Sequence, residues 1–162
     1  MKTPRPPAHL VLALLCVAAT IGPARGARAD ERPRDGVALG RYLVQTSGCN
    51  DCHSPGYTQH GGHTAEATWL TGDTLGWRGP WGTTYPSNLR LLMATMSEAQ
   101  WLRHARTMEP RPPMPWFNVR AMSDTDLRAI YRYVRAAGPA GQPAPAYVPP
   151  GQPVSGPVVQ FP

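Results

Sequence analysis

The feature that most constrains this chain is "CNDCH", residues 49 to 53, where two cysteines and a histidine fall within five positions. Three chemistries use such a cluster. With His60 and His63 downstream, the cysteines make C-x2-C-x7-H-x2-H, a donor set suited to tetrahedral zinc. That interval is shorter than the usual spacing of about 12 to 15, and it leaves His53 unused. A redox dithiol calls for C-x-x-C at the start of a helix beside a βαβ unit. No βαβ pattern is evident, and this pair follows a helix. The third chemistry is covalent haem attachment through C-x-x-C-H, in which two thiols add across the porphyrin vinyl groups and the histidine ligates iron. Only this reading uses all three residues. Cys49 and Cys52 are therefore expected as thioether tethers of one haem c, with His53 as the proximal ligand.

The N-terminus points to export. Lys2 and Arg5 precede an apolar run from Leu10 to Gly22, and Ala27-Arg28-Ala29 follows as a small-x-small cleavage signal. The run is short of the roughly 20 residues that a spanning helix needs. Residues 1–29 are thus expected to be a signal peptide, cleaved after Ala29, and the protein to be periplasmic. Cys16 goes with that segment, since Leu15 is too bulky for the usual lipoprotein signal. Cleavage would remove Lys2, Arg5, Arg25 and Arg28, taking 16 basic residues to 12, all arginine, against 10 acidic ones. The remaining balance of +2 and the lack of a basic run with interleaved aromatics argue against nucleic-acid binding. No later apolar run is long enough to cross a membrane. A disulfide closing so short a loop would stabilise little, so a chemical use of Cys49 and Cys52 is expected over a structural one.

Local signals divide the rest. Residues 35–48 read as a helix with Asp35 as N-cap and Gly48 as its stop. Gly40 inside it costs about 1 kcal/mol relative to alanine, which suggests that another element packs closely there. Residues 54–86 are rich in Gly, Thr, Pro and Trp, and 72–88 show neither helical nor strand period. A long irregular stretch of this kind is often functional. Trp69, Trp77, Trp81 and Tyr85 ask for a large flat group to pack against. Ser97 with Gln100 forms a capping box opening a helix over 97–107, with Trp101, Leu102 and Ala105 on its buried face. Residues 108–118 read as a proline-stiffened loop. Residues 123–138 form the clearest helix, capped by Ser123 and ended by Gly138. Leu127, Ile130, Tyr131 and Val134 mark its apolar face, and Arg128, Arg132 and Arg135 its solvent side. The last 24 residues, 139–162, hold eight prolines and are expected to be extended or disordered, with Tyr147, Val148, Val158, Val159 and Phe161 able to pin them to the domain.

A haem has needs that this composition can meet. The porphyrin supplies apolar area to a domain, residues 30–138, that is poor in aliphatics. Arg78, Trp81, Tyr85 and Asn88, with Trp77, are candidates for contacts to the propionates or haem edge. For the sixth iron ligand the candidates are Met93, Met96, Met108, Met114, Met122, His60, His63 and His104. Met114 is favoured. It lies in "PPMPW", between Pro113 and Pro115, 61 residues beyond His53, enough chain to reach the opposite haem face. His60 and His63 are too close in sequence to wrap the haem edge easily. Methionine–histidine ligation raises the potential relative to bis-histidine and closes the site to small molecules.

The order "GRYLV", "CNDCH", a Trp/Gly/Thr-rich loop, "GTTYPSNL", "PPMPWFN" and "SDTDLRAIYRYV" resembles that of bacterial class I cytochromes c, especially the domains that serve periplasmic dehydrogenases. The likeness spans about residues 36 to 137. It implies a small all-α cytochrome c fold, with N- and C-terminal helices packed around a covalently attached haem and long irregular loops. It further implies a single-electron carrier, not an enzyme, with redox protein partners such as a periplasmic dehydrogenase or respiratory complex. By the same analogy Gly40 and Tyr42 would meet Ile130, Tyr131 or Val134. An open-site sensor or enzyme, or a fixed subunit of a dehydrogenase complex, are the alternatives. Two departures stand out. "RLLMATMSEAQW" replaces a stretch that is often Thr-Pro-Asp, and no lysine remains after residue 29, so docking must use arginine or apolar surface.

Overall fold

A computed structural model describes Met1 and residues 36–162. The proposed signal peptide, its cleavage site and the Asp35 cap lie outside the described residues. In chain order the elements are α1 (Gly36–Thr46), α2 (Cys49–His53), a single 3-10 turn (Glu66–Thr68), β1 (Gly76–Gly79), β2 (Gly82–Thr84), α3 (Leu89–Ala94), α4 (Glu98–Thr107), α5 (Trp116–Ala121), α6 (Asp124–Ala137) and β3 (Val158–Gln160). Helices dominate, as expected. The small sheet, ordered β2-β1-β3, is the departure from a purely helical reading.

The helix ends follow their local chemistry. Ser97 Oγ accepts from Gln100 N–H while the Gln100 side chain accepts from Ser97 N–H, which completes the expected capping box of α4. Ser123 Oγ accepts from the Asp126 N–H at the start of α6, and Gly138 closes that helix. Gly48, at φ 74°, turns the chain from α1 into α2 in a left-handed conformation that a side chain would resist. Asn88 caps α3 by accepting from Leu91 N–H. Neither α3 nor α5 is foreshadowed by a long apolar period, and both are six residues long.

The central packing is α1 across α6. An alanine Cβ at Gly40 would lie 2.0 Å from the Ala129 carbonyl oxygen and 2.7 Å from Tyr133 Cβ. The crossing therefore exists because residue 40 has no side chain. The atoms nearest that point belong to Ala129 and Tyr133, residues outside the expected set of Ile130, Tyr131 and Val134. This crossing rotates α6 so that Tyr133 is buried and Tyr131 only half-buried. Val44, Trp69, Leu70, Met93, Trp101, Ala105, Leu127, Ile130, Tyr133 and Val134 form one core. Trp101 Nε1 donates to the Leu127 carbonyl at 2.9 Å and joins α4 to α6. The α6 arginines do more than face solvent. Arg128 and Arg132 both reach Glu98, and Arg135 donates to the carbonyls of Met93 and Ala94 at the end of α3.

One polar network clips three segments. Tyr133 O–H donates to Glu66 Oε1 at 2.8 Å, and Arg41 of α1 pairs with the same carboxylate at 2.8 Å. The Arg41 guanidinium, with help from Tyr133, holds the Glu66 carboxyl below the ordinary value of 4.5. A depressed carboxylate pKa stabilises the fold above the unfolded value, and that stabilisation is lost as pH falls through the lower folded value. Both partners are nearly half exposed, 45% and 43%, so the effect is expected below about 1 kcal/mol. Thermal melts from pH 6 down to pH 3 are expected to show a steeper acid loss in the native protein than in Glu66→Gln.

Candidate haem site

The site begins where α1 ends. Gly48 reverses the chain, and one short helix then carries Cys49, Cys52 and His53. His53 is the buried member. Its Nδ1 lies 2.7 Å from the Ser87 carbonyl oxygen. A carbonyl only accepts, so Nδ1 carries the proton and Nε2 keeps its lone pair for a metal. Burial lowers the His53 pKa, with the Ser87 bond opposing in part, so the ring is held neutral, the form that ligates. The main chain around it is equally tied. Gly72 N–H donates to the His53 carbonyl at 2.8 Å, and Ser54 Oγ donates to Asn50 Oδ1 while accepting from Leu70 N–H. Leu70 sits at φ 60°, an unfavourable value for leucine. Its carbonyl receives the Leu89 and Arg90 N–H groups, and these bonds keep it there.

Cys49 and Cys52 are free thiols, partly exposed. Burial pushes the Cys49 thiol up to about 11 and also raises Cys52. A pair with raised values holds little thiolate, unlike the low-pKa dithiols of redox enzymes. The zinc alternative fares no better. His60 and His63 lie exposed on a turn, and among the described residues no group of three or more His, Cys, Asp or Glu side chains could hold a metal ion.

The methionine loop is tied to the end of β2. Thr84, at the end of β2, donates its hydroxyl to the Pro112 carbonyl at 2.8 Å. Three residues later Ser87 accepts the His53 ring. Three residues span at most about 11 Å, so one short segment braces both the histidine and the loop that bears Met114. Arg120 secures the start of the loop through the Met108 carbonyl and Glu109. Met93 is fully buried in the helical core and Met122 packs against it, while Met114 is half-buried outside that core.

A cytochrome c family profile matches residues 37–138. The chain belongs to the cytochrome c family. No curated protein and no solved structure matches it. Cytochromes c carry covalently attached haem c, and the residues of this cytochrome fit that group. Cys49, Cys52 and His53 complete the attachment motif, and the His53 tautomer leaves Nε2 free to ligate. Trp77 Nε1 is buried with no hydrogen-bond partner, a donor suited to a propionate.

The expected edge contacts divide. Asn88 is otherwise employed: its Nδ2 donates to the carbonyls of Ala140 and Gln142, and its oxygen caps α3. Both bonds from its Nδ2 go to the C-terminal tail. Trp81 Nε1 donates to the Trp77 carbonyl, and its ring packs on Phe161 at 5.4 Å. Trp81 therefore builds the corner of the hairpin. Arg78 and Tyr85 are half-buried on the hairpin and just after it. The sequence reading missed Ser87 and Thr84. Their contributions are a carbonyl and a hydroxyl aimed by tertiary structure, and no residue pattern announces either.

Proposed function

We propose that this cytochrome is an exported, periplasmic class I electron carrier with His53 and Met114 as the axial pair and no substrate turnover of its own. The observation that carries this reading is the bracing of His53 and the Met114 loop by the same Thr84–Ser87 segment. Haem iron, when bound, supplies a one-electron ferric/ferrous couple. The chain's part is to hold that couple still. Two thioethers tether the ring, Ser87 orients the imidazole, and the Met114 thioether favours the ferrous state and blocks small molecules. A braced ligand pair needs little rearrangement on gaining an electron.

The partner is a redox protein, such as a periplasmic dehydrogenase or respiratory complex. With no lysine after residue 29, it is met through arginine and apolar surface such as the exposed Phe117. Among the described residues no helix is long and apolar enough to cross a membrane.

The test is made on protein secreted with haem attached. Intact mass should give a chain beginning at Asp30 plus one haem, and the pyridine haemochrome spectrum should report two thioether links. The ferrous form should take up carbon monoxide slowly. Retained Met1 would overturn export, and rapid carbon monoxide uptake would favour a sensor or enzyme with an open sixth position.

A further inference from the structure

Residues 139–162 lie beyond the span shared with the family, yet they are fastened to the haem-site scaffold along their length. The tail leaves α6 and is caught by Asn88 at Ala140 and Gln142. Val148 then exchanges both backbone hydrogen bonds with Thr83 of β2, at 2.8 and 3.0 Å. Finally β3 pairs in parallel with β1, and Phe161 packs on Trp77 and Trp81.

One contact reaches the methionine loop itself. The Arg111 guanidinium lies 3.8 Å above the Tyr147 ring, a close cation–π stack. Tyr147 O–H is fixed in turn by the Trp81 carbonyl at 2.8 Å. Arg111 adjoins Pro112, whose carbonyl Thr84 holds, and stands three residues before Met114. The loop has reason to need outside anchors. Pro110, Pro112, Pro113 and Pro115 have no N–H to donate, so its backbone has few means of securing itself.

We propose that the proline-rich tail is a strap that holds the methionine loop closed, with Tyr147 as the positioning residue. The proposal rests on the reading of Met114 as the distal ligand. In a two-state description an external ligand binds ferric iron only when the loop is open, so its apparent affinity rises in proportion to the open fraction.

The experiment is an imidazole titration of the ferric, haem-loaded, full-length protein, well below its melting temperature. Tyr147→Ala should bind imidazole at least about tenfold more tightly than the native protein, with a weaker far-red charge-transfer band. Tyr147→Phe keeps the ring beneath Arg111 and should stay closer to native. Arg111→Ala reads the same contact from the other side, on an exposed residue, should Tyr147→Ala fail to mature. The double variant should exceed neither single one. Affinity within about twofold of native in both single variants, while Met114→Ala tightens binding, overturns the strap; a lowered melting temperature alone would not rescue it. If Met114→Ala itself changes neither band nor affinity, the ligand assignment fails and the strap's role falls with it.

Discussion

Met114→Ala is expected to abolish the far-red charge-transfer band of the ferric protein and to lower its reduction potential by a sizeable part of the about 0.8 V that axial ligands control. The reason is the sulfur that the proposed ligand pair places on the iron. A thioether accepts electron density from ferrous iron better than it stabilises ferric iron, so its removal favours oxidation. The loop should survive the change. It is held by Thr84 at Pro112, by Arg120 at Met108 and by Arg111 on Tyr147, none of which involves the Met114 side chain. Met114 is also outside the helical core, so little packing is lost. Spectroelectrochemistry beside a melting curve checks both halves. The expected result is a large fall in potential with a small change in stability. An unchanged band and potential would show that the sixth ligand lies elsewhere, with Met96 and Met108 the next methionines to test.

Gly40→Ala should produce the opposite pattern, a large loss of stability with the iron ligands untouched. Alanine gains about 1 kcal/mol in helix propensity at this position. Against that, its Cβ would lie 2.0 Å from the Ala129 carbonyl oxygen and 2.6 Å from the carbonyl carbon. These are backbone atoms on a neighbouring helix and cannot swing aside as a side chain can. Relief requires α1 and α6 to separate, which opens the interface that buries Val44, Ile130, Tyr133 and Val134. A net destabilisation of about 3 kcal/mol or more is expected, at or beyond the upper end of overpacking effects. Denaturant or thermal unfolding of the haem-loaded protein measures it. A loss below about 1 kcal/mol would mean that the two helices are not in fact locked at this crossing.

Both predictions draw on features that differ in how far they could be read ahead of the fold. The attachment motif is legible because its chemistry is local: two thiols and an imidazole must occur at fixed spacing on one short helix. The caps of α4 and α6 are legible for the same reason, since a serine hydroxyl reaches a backbone N–H three residues away. Gly40 announces a close approach but not its partner. The close approach to Ala129 and Tyr133 depends on how α6 rotates, and a face defined by helical period alone finds Tyr131, which packs half-buried against the core, but omits the buried Tyr133.

The hairpin was beyond reach for a further reason. The β1–β2 hairpin, with Trp77 in its first strand and Trp81 in its turn, is a glycine-rich run without alternation, and its edges are completed by Val148 and by Val158–Gln160, up to about 80 residues away in sequence. Strands this short are stabilised by what pairs with them, not by their own composition. The apolar residues of the tail were legible as pins to the domain, but not the backbone pairing of Val148 with Thr83 or of Val158–Gln160 with β1.

By itself, then, the sequence determined the cofactor, the C-x-x-C-H attachment motif and the caps of α4 and α6, because each depends on groups within a few bonds of one another. Only the tertiary structure decided which carbonyl fixes the His53 tautomer, which helix face meets Gly40, that Asn88 serves the tail, and that Tyr147 reaches Arg111. Each of those depends on the distance between groups far apart along the chain, and that distance exists only once the core has closed.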